Sequence, residues 1–502
     1  MRQRFLHAGR RVRSLALSPR RLNPGESVAL AITFAFALIT IVRWLCRISA
    51  PITWDYGPAQ LAVLVDIWIR GVALYRDFRT APFIPLVYGP IVPWITASLA
   101  PSFGSGPMAA LEAGRVITIV STLAVCALIF VLARKNHASF PAASLATLGF
   151  VLSPIVLLWG FEYRVDAPAL ALELGGILAF TSGMAAPAIA MFAASFFIKQ
   201  EHAIGIAAVV LFCWWSGERT RACALGISWL ALVAIGTAIL IAIYPWYPLN
   251  EYGAVRVMRF DFGAPIFFLG VMIGGSVSVA ILSIVAFTRR RMTDPLMLCL
   301  LGVALAHDLA SCLRWGSNGY YFLPTLSVLA IISASGIDLV LERMRAMRAA
   351  PQLAAGCALA LALSFGYLSA PRELARFQVD PAWDAHALKR LRSISGPIIT
   401  DTAELSLIDA RPNLQWIDLM VLASMKELGT FDDAPLLADI RAHKIAAFAL
   451  DADGLDRHYR GRPFFWPTLR REIENNYTNL PGAGPPFLML PNSASIGSTA
   501  NR

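Results

Sequence analysis

The stretch WDYGPAQLAVLVDIWIRGVALYRDFRTAPFIPLVYGP, from Trp54 to Pro90, follows the first long apolar run of the chain. It combines several aromatic residues with a dense set of charges: Asp55, Asp66, Asp77, Arg70, Arg76 and Arg79. A mainly apolar chain does not need so much charge at one membrane edge to stay folded, because ionisable groups beside hydrocarbon are costly. The stretch therefore indicates a functional loop, provided that the flanking runs cross a membrane.

Composition places most of the chain in a membrane. Its 502 residues are 57% hydrophobic and only 15% charged, with a mean hydropathy of +0.61. Apolar runs of roughly 20 residues, the length that crosses about 30 Å of hydrocarbon, recur through residues 27–370. They are continuous rather than alternating, so helices are expected to satisfy the backbone in lipid. We predict a polytopic α-helical membrane protein with about eleven transmembrane helices, among them continuous spans over residues 141–160 and 263–287.

The net charge of +11 lies mainly before the first span and in short connections between spans. Seven arginines precede Ser27, and further basic clusters include Arg134-Lys135 and Arg289-Arg290-Arg291. This pattern is typical of cytoplasmic anchors that follow the positive-inside rule. It predicts a cytoplasmic N-terminus and an exoplasmic loop at Trp54–Pro90. Nucleic acid is not an expected partner, because no basic face carries interleaved aromatic residues.

Changes in composition divide the chain into four parts. A basic cytoplasmic N-terminus, 1–26, precedes the transmembrane domain, 27–370, whose exoplasmic loop spans 48–114. Residues 371–491 alternate strand-like apolar runs with amphipathic helical stretches, which predicts a small α/β domain outside the membrane. The polar tail, 492–502, lacks periodicity and is expected to be disordered.

Two regions within the transmembrane domain are expected to be irregular. Residues 83–100 are apolar but short and interrupted by prolines, so we predict a re-entrant or interfacial piece. Two short helices, 186–198 and 203–215, meet at the charged sequence Lys199-Gln200-Glu201-His202. Irregular backbone at membrane depth must lie in protein or line a cavity. This junction therefore predicts a site sunk below the membrane surface.

Polar and charged residues gather at the predicted exoplasmic ends of the helices. Each of them could simply lie among headgroups and water, and for any single residue that alternative stays open. Their concentration on one side, opposite short basic loops, favours a functional site. Beyond the loop charges named above, the set comprises Arg164, Asp166, Lys199, Glu201, His202, Arg256, Arg259 and Arg314.

Neither a metal site nor a cofactor is predicted. All seven cysteines fall within or beside apolar runs and form no CxxC pair, so they are expected to pack in the core. Asp66 and Asp77 could hold a divalent cation, but the sequence lacks a dense pattern of oxygen ligands. A metal is therefore possible without being obligatory.

Five short motifs share one predicted face of the membrane. They are Asp55 after the first span, GVALYRDF…PLVYGP from Gly71 to Pro90, Arg164-Val165-Asp166, Ile198-Lys199-Gln200, and NGYYFLP from Asn318 to Pro324. In their order and spacing, over residues 28–370, they resemble the GT-C superfamily of integral-membrane glycosyltransferases. The sequence is similar to bacterial relatives of the aminoarabinose lipid A transferases, protein O-mannosyltransferases and lipopolysaccharide-core galacturonosyltransferases.

The resemblance implies an enzyme of the bacterial inner membrane that works on the periplasmic face. It would move a sugar from a polyprenyl-phosphate carrier to a glycan or lipid acceptor, with the domain after residue 370 in the periplasm. Asp55 and Asp166 match the two exoplasmic aspartates of the family. Several relatives carry adjacent acidic residues after the first span, whereas Tyr56 follows Asp55 here. That departure leaves metal binding and the type of acceptor open.

The chemistry of such a transfer suggests roles for these residues. A sugar that leaves a phosphodiester releases a stable phosphate anion, so no general acid is needed. Asp55 is predicted to take the proton of the attacking hydroxyl as a general base. Cations must hold the phosphate charge in a poorly hydrated pocket. The candidates for that role are Lys199, Arg256, Arg259 and Arg314.

Other candidate residues have an equally simple structural alternative. Asp166 could orient the acceptor or Arg164, or it could cap the helix that follows it. His202 could touch phosphate, although a histidine at a helix end is often structural. Tyr320 and Tyr321 could stack on a sugar or the isoprenoid, or they could belong to the aromatic belt at the membrane interface.

Two other functions compete with transfer. A transporter or flippase of lipid-linked glycans would be expected to carry internal repeats and polar groups near the bilayer midplane. The sequence contains no visible repeat, and its polar groups gather at one face. A scaffold whose soluble domain recruits partners would not need the charged loop.

Overall fold

A computed structural model describes residues 22–51, 53, 56–80, 83–256, 258, 260–289, 294–314, 316–369, 385–409, 411, 414–451, 453–459, 462–480 and 487–492. Helices predominate from Pro24 to Ser369, and a β-sheet with its own helices follows from Ile398 onward. Of the predicted parts, the N-terminus up to residue 21 and the tail from residue 493 lie outside the described residues.

The first part of the chain is a succession of helices with short connections. They are α1 (Pro24–Cys46), α2 (Tyr56–Ile69), α3 (Ile91–Leu99), α4 (Pro107–Lys135), α5 (Phe140–Val151), α6 (Pro154–Trp159), α7 (Asp166–Thr181), α8 (Ala185–Ile198), α9 (Ile204–Trp215), α10 (Arg219–Ile243), α11 (Ala254–Arg256), α12 (Ala264–Gly275), α13 (Val277–Thr288), α14 (Pro295–Cys312), α15 (Leu323–Arg345), α16 (Ala349–Leu363) and α17 (Phe365–Ser369). Single turns of other helix types occupy Ala100–Ser102, Leu249–Gly253 and Gly319–Phe322.

Length and composition confirm a polytopic α-helical membrane protein. Within the described residues, five helical segments are long and apolar enough to cross a membrane: α1, α4, α10, α14 and Gly319–Arg345. The pair α12 and α13 makes a sixth if it counts as one bent span. Several shorter apolar helices accompany them, so the figure of about eleven crossings stays a prediction.

Residues 83–100 form a short irregular piece, as the prolines predict. Phe83 to Gly89 form neither helix nor strand, and α3 has nine residues, about 13 Å of helix. That length is too short to cross a bilayer.

Two spans predicted to be continuous are broken, and that part of the prediction is wrong. The run 141–160 divides between α5 and α6, and the run 263–287 bends by 87° at the junction of α12 and α13. Pro154 cannot donate the hydrogen bond that would continue α5. A Cβ on Gly275 would lie 2.6 Å from Pro154, so the two breaks pack directly against each other. The freed backbone therefore lies within protein rather than in lipid.

The part after residue 384 combines a mixed sheet with surrounding helices. Its elements are α18 (Ala385–Arg392), β1 (Ile398–Thr400), α19 (Ala403–Ile408), β2 (Leu414–Trp416), α20 (Leu419–Glu427), α21 (Ala434–Arg441), β3 (Ala447–Leu450), β4 (His458–Tyr459), β5 (Arg462–Pro463), α22 (Pro467–Asn476), β6 (Tyr477–Asn479) and β7 (Phe487–Pro491). The main sheet has the order β2-β1-β3-β7-β6. Strands β2, β1 and β3 are parallel, whereas β7 runs antiparallel to both of its neighbours.

The sheet rests on the helical part through the carboxyl ends of its parallel strands. Helix α19 follows β1 and packs on α2. Ala403, Leu407 and Trp416 share a buried apolar cluster with Ala59 to Val65 of α2. Helix α2 is thereby enclosed between the membrane helices and the sheet.

Candidate active site

The break between α8 and α9 places charged side chains inside the protein. Helix α8 ends at Ile198, the backbone of Lys199 is extended, and α9 begins at Ile204. Lys199 and His202 are both buried. A lysine is almost never fully buried unless a carboxylate accompanies it. The surroundings of this break therefore define the site.

Asp166 supplies the first carboxylate. It is the first residue of α7, and its Oδ1 lies 2.8 Å from the Nζ of Lys199. The Nε of Arg164 lies 3.6 Å from the other oxygen, Oδ2. The alternative reading of Asp166 as a helix cap is wrong, because Val165 occupies the cap position and the carboxylate of Asp166 faces the two cations.

Glu201 extends the ion pairs toward the surface. Its Oε2 lies 3.6 Å from the Nζ of Lys199, and its Oε1 forms an ion pair with the guanidinium of Arg314. The carboxylates of Asp166 and Glu201 both lie beside the Lys199 ammonium and offset the cost of its burial. Lys199 therefore stays protonated, and the chain from Asp166 to Arg314 is a continuous line of alternating charges. We call Asp166, Lys199, Glu201 and Arg314 the charge network.

Two tyrosines cover the cations of this network. Tyr320 and Tyr321 stack with ring centroids 4.8 Å apart. The guanidinium of Arg164 lies 3.8 Å from the Tyr320 centroid, and the Nζ of Lys199 lies 4.1 Å from that of Tyr321. Contacts of this kind stabilise a cation through the negative face of the ring. The tyrosines thus hold the cations in place instead of forming part of an interfacial belt.

A polar cavity of about 410 Å³ opens beside the network. Its lining combines three predicted residues, Glu201, Arg256 and Arg314, with side chains that were not assigned a role. The complete lining is Gln200, Glu201, Glu251, Tyr252, Arg256, His307, Ala310, Ser311 and Arg314. Arg256 is exposed and Arg314 is partly exposed, so both guanidinium groups can meet a ligand. Lys199 lies behind them and does not line the cavity.

Glu251 is the most unusual residue of the lining. It is buried, and burial raises the pKa of its carboxyl to about 8. Among the described residues, no lysine or arginine forms an ion pair with it. Its carbonyl oxygen accepts a hydrogen bond of 3.1 Å from the Nε2 of Gln200. The connection that follows α10 is thus joined directly to the break that carries Lys199.

His202 and His307 lie side by side at the cavity, and only His307 is part of its lining. His202 is buried with its ring centroid 6.0 Å from that of His307. The Nδ1 of His307 lies 2.9 Å from Asp308, which also accepts a hydrogen bond from the backbone of Thr325. His202 does not line the cavity, which favours its structural alternative. The adjacent His307 and Asp308 could have been found in the sequence, because ionisable residues inside an apolar span indicate function.

Charges of the segment Trp54–Pro90, where the structure describes them, form ion pairs apart from the charge network. Asp66 pairs with Arg70, and Asp77 pairs with Arg79 at 2.8 Å. Each aspartate therefore has its own arginine nearby, and none of these residues lines the cavity. The loop reaches the site by its backbone instead, because the amide of Gly89 donates to the carbonyl of Ile198 at 3.1 Å. A Cβ on Gly89 would collide with the backbone of Phe197.

Asp55 and Arg259 lie outside the described residues, so their predicted roles are untested. Of the other predicted residues, the structure brings Arg164, Asp166, Lys199, Arg314, Tyr320 and Tyr321 into one cluster and places Arg256 on the adjoining cavity.

No protein-family profile and no functionally characterised sequence matches the chain. Solved structures do resemble it. The structure of ArnT from Cupriavidus metallidurans bound to undecaprenyl phosphate matches with a TM-score of 0.58 at 13% identity, covering 92% of this chain and 98% of ArnT. Apo ArnT matches with a TM-score of 0.56 at 13% identity over 84% and 93% of the two chains.

A second kind of enzyme has a similar structure. The apo oligosaccharyltransferase of Archaeoglobus fulgidus matches with a TM-score of 0.51 at 11% identity, over 85% of this chain and 70% of its own. The chain has a GT-C fold. The fold is the one that the motifs predicted. In this chain the junction of α8 and α9, the segment after α10 and the end of α14 line one cavity.

Proposed function

We propose that this chain is a membrane glycosyltransferase that takes a sugar from a polyprenyl-phosphate carrier. The acceptor is a glycan or lipid on the periplasmic face of the bacterial inner membrane. The observation that carries the proposal is the buried charge network beside a polar cavity, within a GT-C fold. The structural similarity to ArnT, which was solved with bound undecaprenyl phosphate and is 13% identical in sequence, supports the class of carrier.

The balance of charge around the cavity suits a departing phosphate. Four cations, Arg164, Lys199, Arg256 and Arg314, face the two carboxylates of Asp166 and Glu201. Glu251 adds no charge while it is protonated, which its raised pKa of about 8 favours at neutral pH. An excess of about two positive charges therefore remains to meet an anion of charge −1 to −2.

The reaction needs one proton acceptor and one anion site. The oxygen of an acceptor hydroxyl attacks the anomeric carbon of the sugar, the bond from that carbon to the phosphate oxygen breaks, and its electron pair leaves on the phosphate. Asp55 takes the hydroxyl proton as general base. Arg314 and Arg256 bind the phosphate, since a guanidinium fork matches its oxygens.

The two carboxylates of the charge network, Asp166 and Glu201, bind the cations and do not contact the substrate. Asp166 and Glu201 are both engaged by Lys199, so we assign them to holding the lysine and Arg314 in position. Preorganised charges of this kind do not need to reorient when phosphate charge develops. Transfer by this route requires no metal ion and no cofactor.

The test is transfer by the purified full chain in lipid nanodiscs. Mass spectrometry of envelope glycans from cells with and without the protein identifies the sugar and the acceptor, and the undecaprenyl-phosphate-linked form of that sugar is then the donor. We expect the Asp55→Ala variant to bind undecaprenyl phosphate but to transfer no sugar. An Asp439→Ala variant is the control, because Asp439 lies on the surface with Lys444 as its partner. Translocation of the lipid-linked sugar without a new glycosidic bond would support the transporter instead.

A further inference from the structure

The carboxyl ends of the parallel strands carry two acidic residues, the buried Asp418 and the partly buried Glu404, that reach across to the membrane part. Glu404 follows β1 in α19, and Asp418 follows β2 at the start of α20. Asp418 is only 3% exposed, and the Glu404 side chain bonds to a residue of the first exoplasmic segment. In a parallel sheet these ends usually surround a ligand. Here they meet the helical part of the same chain.

Glu404 holds the chain just before α2. The hydroxyl of Thr53 donates a hydrogen bond of 2.7 Å to Glu404 Oε1. The hydroxyl of Thr402 donates to Oε2 at 2.8 Å and so fixes the carboxylate from its own domain. Both carboxylate oxygens of Glu404 accept a hydrogen bond, so the orientation of the carboxylate toward Thr53 is fixed.

Asp418 holds α2 itself. The Nε2 of Gln60 lies 3.3 Å from Asp418 Oδ2 and donates as well to the carbonyl of Pro85 at 3.3 Å. The backbone amide of Val421 donates to Asp418 Oδ1 at 3.1 Å. The amide of Asp418 donates to the carbonyl of Phe83 at 3.3 Å. One aspartate thus ties α2 and the Phe83–Pro85 segment to the sheet.

The stability of the interface between α2 and the sheet does not by itself explain why Glu404 and Asp418 lie there. The apolar cluster of α2 with α19 already buries the interface, and apolar residues in place of buried carboxylates would often make such an interface more stable. Asp418 forms no ion pair with any described lysine or arginine, so its burial depends on directional hydrogen bonds. These directional hydrogen bonds fix the position of α2 relative to the sheet and add little to the stability of the interface.

Thr53 and Gln60 flank Asp55 in the sequence. We infer that Glu404 and Asp418 are positioning residues: they hold Thr53 and Gln60, which lie on either side of the proposed general base in the sequence. The inference rests on the proposed function only for the base itself. The hold on α2 can be measured independently of transfer.

The first experiment uses steady-state transfer by the full chain in nanodiscs, with the undecaprenyl-phosphate-linked sugar identified above. Glu404→Ala and Asp418→Ala are each expected to lower kcat about tenfold or more, because small displacements of a reacting group are costly. KM for the donor should stay within about twofold, since neither residue touches the phosphate site. Glu404→Gln and Asp418→Asn keep an acceptor oxygen and should recover most of the kcat.

The second experiment measures amide hydrogen exchange over residues 56–69 in the same variants, with Asp439→Ala as the control. We expect faster exchange in Glu404→Ala and Asp418→Ala, and also in Thr53→Ala and Gln60→Ala. The double variants Thr53→Ala/Glu404→Ala and Gln60→Ala/Asp418→Ala should lose no more kcat than their single variants.

The outcomes separate the two proposals. Unchanged exchange, or a kcat that does not fall in the alanine variants of an active enzyme, would overturn the positioning role. A wild-type chain that transfers no sugar would overturn the proposed function. Faster exchange in that case would still support the hold of the sheet on α2.

Discussion

Buried carboxylates occur in this molecule in two different settings. In the charge network, Asp166 and Glu201 each lie beside Lys199, and Glu201 also pairs with Arg314. Glu251 in the cavity and Asp418 after β2 are buried like Asp166, whereas Glu201 is partly exposed. Among the described residues, no cation pairs with Glu251 or Asp418. Burial raises their pKa values to about 8 and about 6 respectively.

The difference separates a fixed electrostatic site from groups that respond to pH. The ammonium of Lys199, 2.8 Å from Asp166, favours the ionised form of that carboxylate. A carboxylate without a close cation changes its charge near neutral pH and alters its surroundings when it does. The molecule thus combines carboxylates that pair with cations and two carboxyl groups whose pKa values are raised by burial.

Removing the central cation should have the largest effect. Lys199→Met would leave Asp166 and Glu201 buried without their common partner, and the loss of one member of a buried pair typically costs about 3–5 kcal/mol. We expect a lower free energy of unfolding and no measurable binding of undecaprenyl phosphate. Thermal unfolding and a binding titration in nanodiscs check both effects.

A second substitution separates those two effects. Asp166→Asn added to Lys199→Met should recover part of the stability without restoring binding. Lys135→Met is the matched control, because Lys135 is bonded to Thr181 and Ser182 away from the site. An unchanged unfolding temperature in Lys199→Met would show that the four residues do not act as a network.

The unpaired carboxyl at the sheet edge should make stability depend on pH. The pKa of Asp418 in the folded chain is about 6, above its ordinary value of 3.8, because burial favours the neutral form. Its contribution is therefore complete below about pH 4 and is lost as the pH rises through about 6, on the order of 2–3 kcal/mol. Unfolding free energies of the wild type and Asp418→Asn between these pH values should diverge accordingly. Parallel curves would contradict the shifted pKa.

Replacing Arg314, at the exposed end of the charge network, by another cation should have a smaller effect than removing its charge. Arg314→Lys keeps the charge but replaces a bidentate fork by a single ammonium, so we expect binding of undecaprenyl phosphate to weaken about tenfold. Thermal stability should change little, because Arg314 is partly exposed. Arg79→Lys provides the comparison, since Arg79 lies outside the cavity. If Arg314→Lys and Arg79→Lys bound undecaprenyl phosphate equally well, Arg314 would not be a phosphate-binding residue.

Glu251 should have the smallest effect, visible only against pH. Below pH about 8 its carboxyl is neutral, and above that pH it adds a negative charge to the cavity. We expect undecaprenyl phosphate to bind the wild type on the order of threefold to fivefold more weakly at high pH. Glu251→Gln should lose this difference while the pH dependence of the phosphate itself remains. A titration between pH 7 and 9 with both proteins decides the matter.

Several elements follow from local sequence. The strands at Ile398–Thr400, Ala447–Leu450 and Phe487–Pro491 lie in apolar runs that predict them. The charged break between α8 and α9 also falls where the two short apolar runs meet. Prediction failed at α5–α6 and α12–α13, because hydropathy alone does not show that Pro154 and Gly275 pack against each other and interrupt both spans.

Local pattern thus determined the membrane class, the GT-C likeness and three of the nine residues that line the cavity, since hydropathy and charge act over a few turns of chain. Tertiary structure alone decided which charges meet. Lys199 contacts Asp166, Arg314 contacts Glu201 and Gln60 contacts Asp418. These pairs are separated in sequence by 33, 113 and 358 residues respectively. The physical reason is that a buried charge is stabilised by whatever lies within a few ångströms of it, and sequence periodicity carries no information about partners so far apart.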